Sequence, residues 1–291
     1  MRIGITGGNG QLGLALRHIL NQKNRSFVSW ASEDLDINDY SKIKNVLSRE
    51  RLDILINCAA WTDVELAEKY PKETLQINAE AVRNLAVICK SQELKLIQIS
   101  TDYVFSGLRS IPWSEEDLTI PKSVYGRSKE SAEGYIQDIY PENSLIIRTS
   151  WLYSRWKNNF AKKMAIKAIS EKDEISVVDD QWGQPTCCID LGEKILEILD
   201  RGVKSGKYHV TNSGETNWFE YARKIFKLLG ADPNRIKGVK SSEYQTSVVR
   251  PTYSVLDNRK LITMGIKPMI SWQDSLEREL PNIMKAIEAI K

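Results

Sequence analysis

Histidine is nearly absent from this sequence of 291 residues. There are two, His18 and His209, far apart and neither inside a motif. That scarcity argues against a histidine-based zinc site and against a Ser-His-Asp triad. Cysteine is almost as sparse. Cys58, Cys89, Cys187 and Cys188 show no C-x-x-C spacing, and the adjacent pair is poorly placed to bridge itself. All four read as reduced, partly buried thiols. No apolar run approaches the roughly 18 residues that span a bilayer. The opening Met1-Arg2-Ile3-Gly4-Ile5-Thr6 lacks the apolar core of a secretion signal. Neither sign of charge dominates: 41 basic residues face 38 acidic ones, with no basic tail or stripe, which speaks against a nucleic-acid partner. Internal repeats and low-complexity stretches are missing as well. A soluble protein of the cytoplasm is the expectation.

What is present suits a folded chain. It is 42% hydrophobic and 27% charged, which excludes a disordered protein. At roughly 100–200 residues per domain, the length suggests two domains, or one large α/β unit with an appendage. The first half alternates short apolar runs with helical patterns. Strands are expected at Arg2–Thr6, Ser26–Trp30, Asp53–Asn57, Lys95–Ser100 and Ser144–Arg148. Helices are expected at Gln11–Gln22, Asp39–Arg49, Lys72–Ser91 and Lys122–Ile139. This is the rhythm of βαβ units, so the fold class is α/β: a Rossmann-type doubly wound parallel sheet with helices on both faces. After about residue 150 the rhythm loosens. Helices at Asn158–Ile169, Asp190–Asp200, Trp218–Leu229 and Trp272–Ile290, and strands at Glu174–Val178 and Lys207–Thr211, predict a smaller mixed α/β lobe. The division expected is a dinucleotide-binding domain over 1–150 and a substrate lobe over 151–291, with the chain crossing back to the first domain.

The first strand runs into Gly7-Gly8-Asn9-Gly10-Gln11-Leu12-Gly13 and then a helix. Gly7 allows the tight turn, Gly10 lets a pyrophosphate approach the backbone, and Gly13 lets the helix pack on the sheet. Free N–H groups at the helix start then face the phosphates. A glycine-rich turn needs no ligand by itself, but here strand, helix and later βα repeats all follow in place. Gly7, Gly10, Gln11, Leu12 and Gly13 are therefore candidates for binding NADPH or NADH. The second strand ends at Trp30-Ala31-Ser32-Glu33, with no arginine close behind, which leaves NAD against NADP open.

Tyr125 and Lys129 stand four residues apart on an expected helix and so share a face. An ammonium beside a phenol favours the phenolate, and the pair would make a proton donor near neutral pH. Alone, Y-x-x-x-K is as often a solvated helix face. Thr101 adds to it, at the end of the apolar strand Leu96–Ser100, where a doubly wound sheet gathers its reactive groups. Its hydroxyl would bond a substrate carbonyl oxygen; otherwise it would serve as a turn cap.

With these motifs the sequence resembles an extended short-chain dehydrogenase/reductase of the dTDP-4-dehydrorhamnose reductase family. The matching blocks run almost the full length: Gly7–Gly13, Asn57–Thr62, Ala67-Glu68, Ile77–Ala79, Ile99–Phe105, Tyr125–Lys129, Arg148–Tyr153, Asn158–Phe160, Asp180–Thr186 and Arg250-Pro251. The resemblance implies Thr101, Tyr125 and Lys129 as the catalytic set. It implies that Asp36 and Ile37 contact the adenine end and that Ala59, Ala60, Trp61 and Asn78 line the cofactor groove. Asp102, Val104, Phe105, Trp151, Asn159 and Arg250 are implied near the sugar nucleotide. Trp151 would equally suit a core position, and Arg250 a surface ion pair. Some members dimerise through a metal bound by glutamates. Ala15, and a position near Ile189, take those places here, so no metal is expected, and a monomer or metal-independent homodimer is.

The implied activity is NAD(P)H-dependent reduction of the C4 ketone of a dTDP-4-keto-6-deoxyhexose, dTDP-4-dehydrorhamnose to dTDP-L-rhamnose first. Sugar-nucleotide epimerases and other deoxysugar 4-ketoreductases use the same groups. Dehydratases of the superfamily carry Asp-Glu after the threonine, where this chain has Asp102-Tyr103. A reading from another class is a nucleotide-binding regulatory subunit like the beta subunit of methionine adenosyltransferase.

Overall fold

Ile3–Thr6 (β1) is buried at every position, as a strand covered on both faces must be. The helix after it, α1 (Gln11–Gln22), turns Leu12, Leu16, Ile19 and Leu20 inward. The alternation continues through β2 (Phe27–Trp30), α2 (Tyr40–Glu50), β3 (Ile54–Asn57), α3 (Val64–Lys69), α4 (Pro71–Leu75), α5 (Ala81–Ser91), β4 (Lys95–Thr101), α6 (Val124–Ile139) and β5 (Ser144–Thr149). Then come β6 (Leu152–Tyr153), α7 (Phe160–Ser170), β7 (Ile175–Val178), β8 (Trp182–Gly183), β9 (Thr186–Cys187) and α8 (Cys188–Asp200). The rest is β10 (Gly206–His209), β11 (Thr216–Asn217), α9 (Trp218–Leu228), β12 (Ile236–Val239), α10 (Arg259–Thr263) and α11 (Trp272–Glu288). This computed structural model describes residues 1–170, 172–243 and 248–289. Ile290, the expected end of the closing helix, lies outside the described residues.

Six strands form one parallel sheet in the order β10-β5-β4-β3-β1-β2. One face is covered by α1 and α8, which share a core with Ile5, Ile56 and Ile147. The other is covered by α2, α5 and α6 over Leu55, Leu96 and Ile146. This is the expected doubly wound α/β sheet. The chain runs outward from β1 to β2 and then crosses back to β3, so the carboxyl ends of β1 and β3 mark the point where ligands bind in such sheets. The strand β10, beyond residue 150, returns to the main sheet and pairs with β5 at Tyr208↔Ile147. A second core joins α7, α9 and α11 through Met164, Phe226 and Leu276.

One expected helix is broken. Lys72–Ser91 appears as α4, a π-helical stretch Gln76–Glu80, and α5. The wide turn carries Asn78, and single π turns inside α-helices often mark functional positions. The short helix α3, capped by Asp63 at Leu66 N, had no separate sequence signature.

Candidate active site

A cleft of about 950 Å³ opens at the carboxyl ends of β1, β3, β4 and β5. Beneath it, Thr6, Asn57 and Gln98 stand opposite one another on adjacent strands. Their side chains form a buried row, Thr6 Oγ1 to Asn57 Oδ1 at 2.6 Å and Asn57 Nδ2 to Gln98 Oε1 at 2.7 Å. Satisfied amides hold the strand ends level under the site.

The glycine loop forms one end of the cleft. Gly7 has φ +66°, and a Cβ there would lie 2.6 Å from Ala59 N. A Cβ on Gly13 would lie 2.3 Å from the Gly7 carbonyl oxygen, so only glycine lets α1 close on the loop. A Cβ on Gly10 would meet only that same carbonyl, at 3.2 Å, and the residue faces the cleft. The first turn of α1 has no acidic residue, which keeps its N-terminus favourable to an anion. Gln11 and Leu12 share this wall. Gln11 Oε1 accepts from Ser154 Oγ and Asn159 Nδ2, each at 3.0 Å, tying the loop to the second half of the chain. Asn159 also accepts from Lys162 N at the head of α7. Asp36 and Ile37 border the far end, as do Ala59, Ala60 and Trp61 along the side. The bare backbone at Gly10 and the anion-favouring helix start together fit a dinucleotide pyrophosphate.

At the other end, Thr101, Tyr125 and Lys129 converge on one wall. Thr101 ends β4 and caps the next turn by accepting from Tyr103 N at 3.2 Å, while its hydroxyl donates to Asp102 Oδ1 at 3.0 Å. Ser123 caps α6 by accepting from Gly126 N, which starts the helix one residue before Tyr125. Lys129 is 3% exposed, and its Nζ donates to the Ile99 carbonyl at 2.6 Å. Burial lowers its pKa to about 8, against the opposing pull of the Glu133 carboxylate. Burial raises Asp102 to about 6, with the Ser254 and Thr101 hydroxyls pulling the other way. Tyr125 is pushed up by burial and by Asp102 and Tyr103, more than its bond with Thr101 lowers it. The expected depression of Tyr125 by Lys129 is thus not a property of this arrangement, because the lysine is turned to Ile99. Cys58 also borders the cleft, but burial holds its thiol protonated, at about 12.

Four residues implied by resemblance lie off the cleft wall. Asn78 is fully buried behind the groove, where it accepts from Trp61 N at 2.7 Å and donates to Trp61 O and Ser128 Oγ. It shapes the 59–61 wall from behind. Val104 and Phe105 are fully buried. Phe105 stacks on Trp113, with centroids 4.7 Å apart, and packs under the Arg148 guanidinium. Arg250 pairs with Glu65 at 3.0 Å and reaches Tyr103 Oη at 3.3 Å. Asp102 and Trp151, by contrast, are on the wall. Trp151 has φ +46°, a strained conformation for a bulky residue. Phe160, Trp218 and Tyr221 complete an aromatic side beside it. Sequence reasoning missed these three, since as members of helical faces they look like core.

The family described as RmlD substrate binding domain matches residues 1–284. A dTDP-4-keto-6-deoxy-D-glucose reductase of Streptomyces niveus is 38% identical over 277 residues, covering 95% of this chain and 96% of the relative. Among solved structures, a dTDP-4-dehydrorhamnose reductase of Clostridium acetobutylicum superposes with a TM-score of 0.93 at 34% identity, over 98% of this chain and all of that one. A Bacillus anthracis dTDP-4-dehydrorhamnose reductase, solved in complex with NADP, gives 0.92 at 38% identity over 96% and 98%. Profile, sequence and superposition thus agree over nearly the whole length: the chain belongs to the RmlD family of dTDP-4-dehydrorhamnose reductases.

Proposed function

We propose that this protein uses NADPH or NADH to reduce the C4 ketone of a dTDP-4-keto-6-deoxyhexose, with dTDP-4-dehydrorhamnose to dTDP-L-rhamnose as the reaction. The observation that carries the reading is the convergence of Thr101, Tyr125 and Lys129 on a cleft whose other end is the glycine loop. The activities for which its relatives are named support the substrate class.

A bound nicotinamide dinucleotide supplies the hydride. Gly7, Gly10, Gln11, Leu12 and Gly13 hold its pyrophosphate, and Asp36, Ile37, Ala59, Ala60 and Trp61 border the rest of it. Tyr125 gives its phenolic proton to the ketone oxygen, and Thr101 donates a hydrogen bond to the same atom on leaving Asp102. Burial raises the phenol, so it arrives protonated. The Lys129 ammonium, the major form below about pH 8, stabilises the phenolate left behind only by turning from the Ile99 carbonyl. Trp151, Asp102 and Asn159 face the sugar nucleotide, and Arg250 reaches a phosphate only by leaving Glu65. Residues 1–150 carry most of the cofactor wall and 151–291 most of the sugar wall.

No helix among the described residues is long and apolar enough to cross a membrane. We place the enzyme in the cytoplasm, acting without metal or nucleic acid as a monomer or homodimer. Anaerobic incubation with NADPH and freshly made dTDP-4-keto-6-deoxyhexose, with the product identified by NMR, tests the proposal. Recovery of the unreduced ketone would overturn it.

A further inference from the structure

One helical turn beyond Lys129, α6 carries Glu133, 3% exposed and facing the sheet. Its carboxylate accepts from Arg148 Nη2 at 2.6 Å and Nε at 2.9 Å, and from Ser100 Oγ at 2.5 Å. Arg148, on β5, is fully buried. Three successive residues of β4 are therefore each tied: Ile99 by Lys129, Ser100 by Glu133, and Thr101 by Asp102. A fully paired, buried arginine–glutamate bridge is seldom retained for stability alone, since apolar replacements often do as well. This one lies directly behind Lys129 and Thr101.

The charges behind the site are uneven. Lys129 feels Cys58, just beyond β3, and Glu133 on its own helix, while Arg148 on β5 pairs with that Glu133. Behind Arg148, on β10, lies His209, with its Nε2 3.4 Å from Nη1. Burial and Arg148 hold His209 neutral. Glu115 sits on the far side, accepting from His209 N, and Lys207 lies at the outer edge of the group. Glu133 thus pairs with Arg148 and, one turn along the same helix, is the carboxylate that acts on the Lys129 ammonium.

We propose that Glu133 and Arg148 are positioning residues for the reductase site: a buried ion pair that pins the end of β4 and keeps Lys129 in its ammonium form. The proposal rests on Lys129 serving the reaction described above. Removing the Glu133 charge takes away the anion that favours the ammonium and leaves Arg148 uncompensated. Both effects move the lysine titration to lower pH. Glu133→Asp keeps the charge and shortens the reach.

Two measurements separate this proposal from the functional reading. The first is competitive acetylation of Lys129 by acetic anhydride across pH, mapped by mass spectrometry, which needs no turnover. The expected midpoint falls by about one pH unit in Glu133→Gln, because a buried neighbouring charge shifts a pKa by that order. It falls less in Glu133→Gln/Arg148→Met and stays in place in Glu133→Asp. The double variant removes the pair as a unit and so keeps the test alive if the single one does not fold. The second is the pH profile of kcat, whose alkaline limb should move with the acetylation midpoint and lower turnover roughly fivefold at pH 8. Folded variants with wild-type midpoints and only a lower melting temperature would make the pair structural and overturn the proposal. Shifted midpoints in a protein that does not turn over the keto-sugar would overturn the functional reading instead.

Discussion

Trp151 and Trp218 stack nearly in parallel, with ring centroids 3.6 Å apart and planes 10° from one another. Trp151 follows β5 and Trp218 opens α9, so the contact closes the aromatic side of the cleft from two elements distant in sequence. It also covers one indole face of Trp151. A sugar ring bound in the cleft would meet the pair, rather than Trp151 alone. Trp218→Ala is expected to raise KM for the sugar nucleotide about tenfold, in the range of a lost aromatic contact. NADPH affinity should stay near wild type, since the ring contacts of Trp218 are Trp151, Phe160 and Tyr221 and none is in the glycine loop. Cofactor titration, KM and thermal unfolding on the same variant check this. A large fall in melting temperature with KM unchanged would make the pair packing alone.

Tyr125→Phe removes the phenolic proton and keeps the ring that meets Tyr103 edge-on at 5.7 Å. General acid catalysis contributes about 10²–10⁴-fold, so kcat should fall by that order with NADPH binding nearly intact. Turnover close to wild type would remove Tyr125 from the mechanism.

Asp102 gives a pH prediction with a definite sign. Its folded pKa, about 6, lies above the ordinary aspartate value of 3.8 because burial disfavours the carboxylate. A raised pKa adds stability that is fully present below about 3.8 and lost as pH rises through 6. Lys129 is the converse case. Its pKa is lowered from 10.5 to about 8, so its contribution is at its lowest below 8 and recovers as pH rises towards 10.5. Between pH 6 and 8 both groups are charged at the expense of stability. Asp102→Asn should therefore melt higher than wild type at pH 7 by the equivalent of roughly 1–3 kcal/mol, with the gain vanishing near pH 4. Melting curves across pH read this directly. An equal gain at pH 4 and pH 7 would show that the charge is not the cause.

Ala15 is fully buried between α1 and the sheet core, and Ile189 packs against the same cluster. Neither has a ligating atom for a divalent cation, which takes oxygen donors. EDTA should leave activity and molecular mass unchanged. Light scattering with and without chelator tests this, and a chelator-driven drop from dimer to monomer would refute it.

Much of the fold was legible because burial on two faces leaves plain marks: continuous apolar runs for strands and period-3.6 stripes for helices. The glycine loop was legible for a steric reason, since no other residue fits 2.3–2.6 Å from backbone at positions 7 and 13. Likewise, Tyr125 and Lys129 share a helix face by spacing alone. Local order could not reveal where a side chain points once the chain leaves an element. Val104 and Phe105 follow Thr101 in sequence yet turn into a small core with Trp113 and Leu256, because the capped turn after β4 folds them away from the cleft. Asn78 hides behind the groove because a π turn displaces it. Arg250 finds Glu65, 185 residues away. The sequence by itself determined the sheet, the glycine loop at the end of its first strand and the spacing that puts Tyr125 and Lys129 on one helix face. Only the tertiary structure decided that Lys129 turns to Ile99, that Glu133 and Arg148 stand behind it, and that Trp218 meets Trp151. Charge and stacking depend on distances between elements, and those exist only once the sheet has brought its strands together.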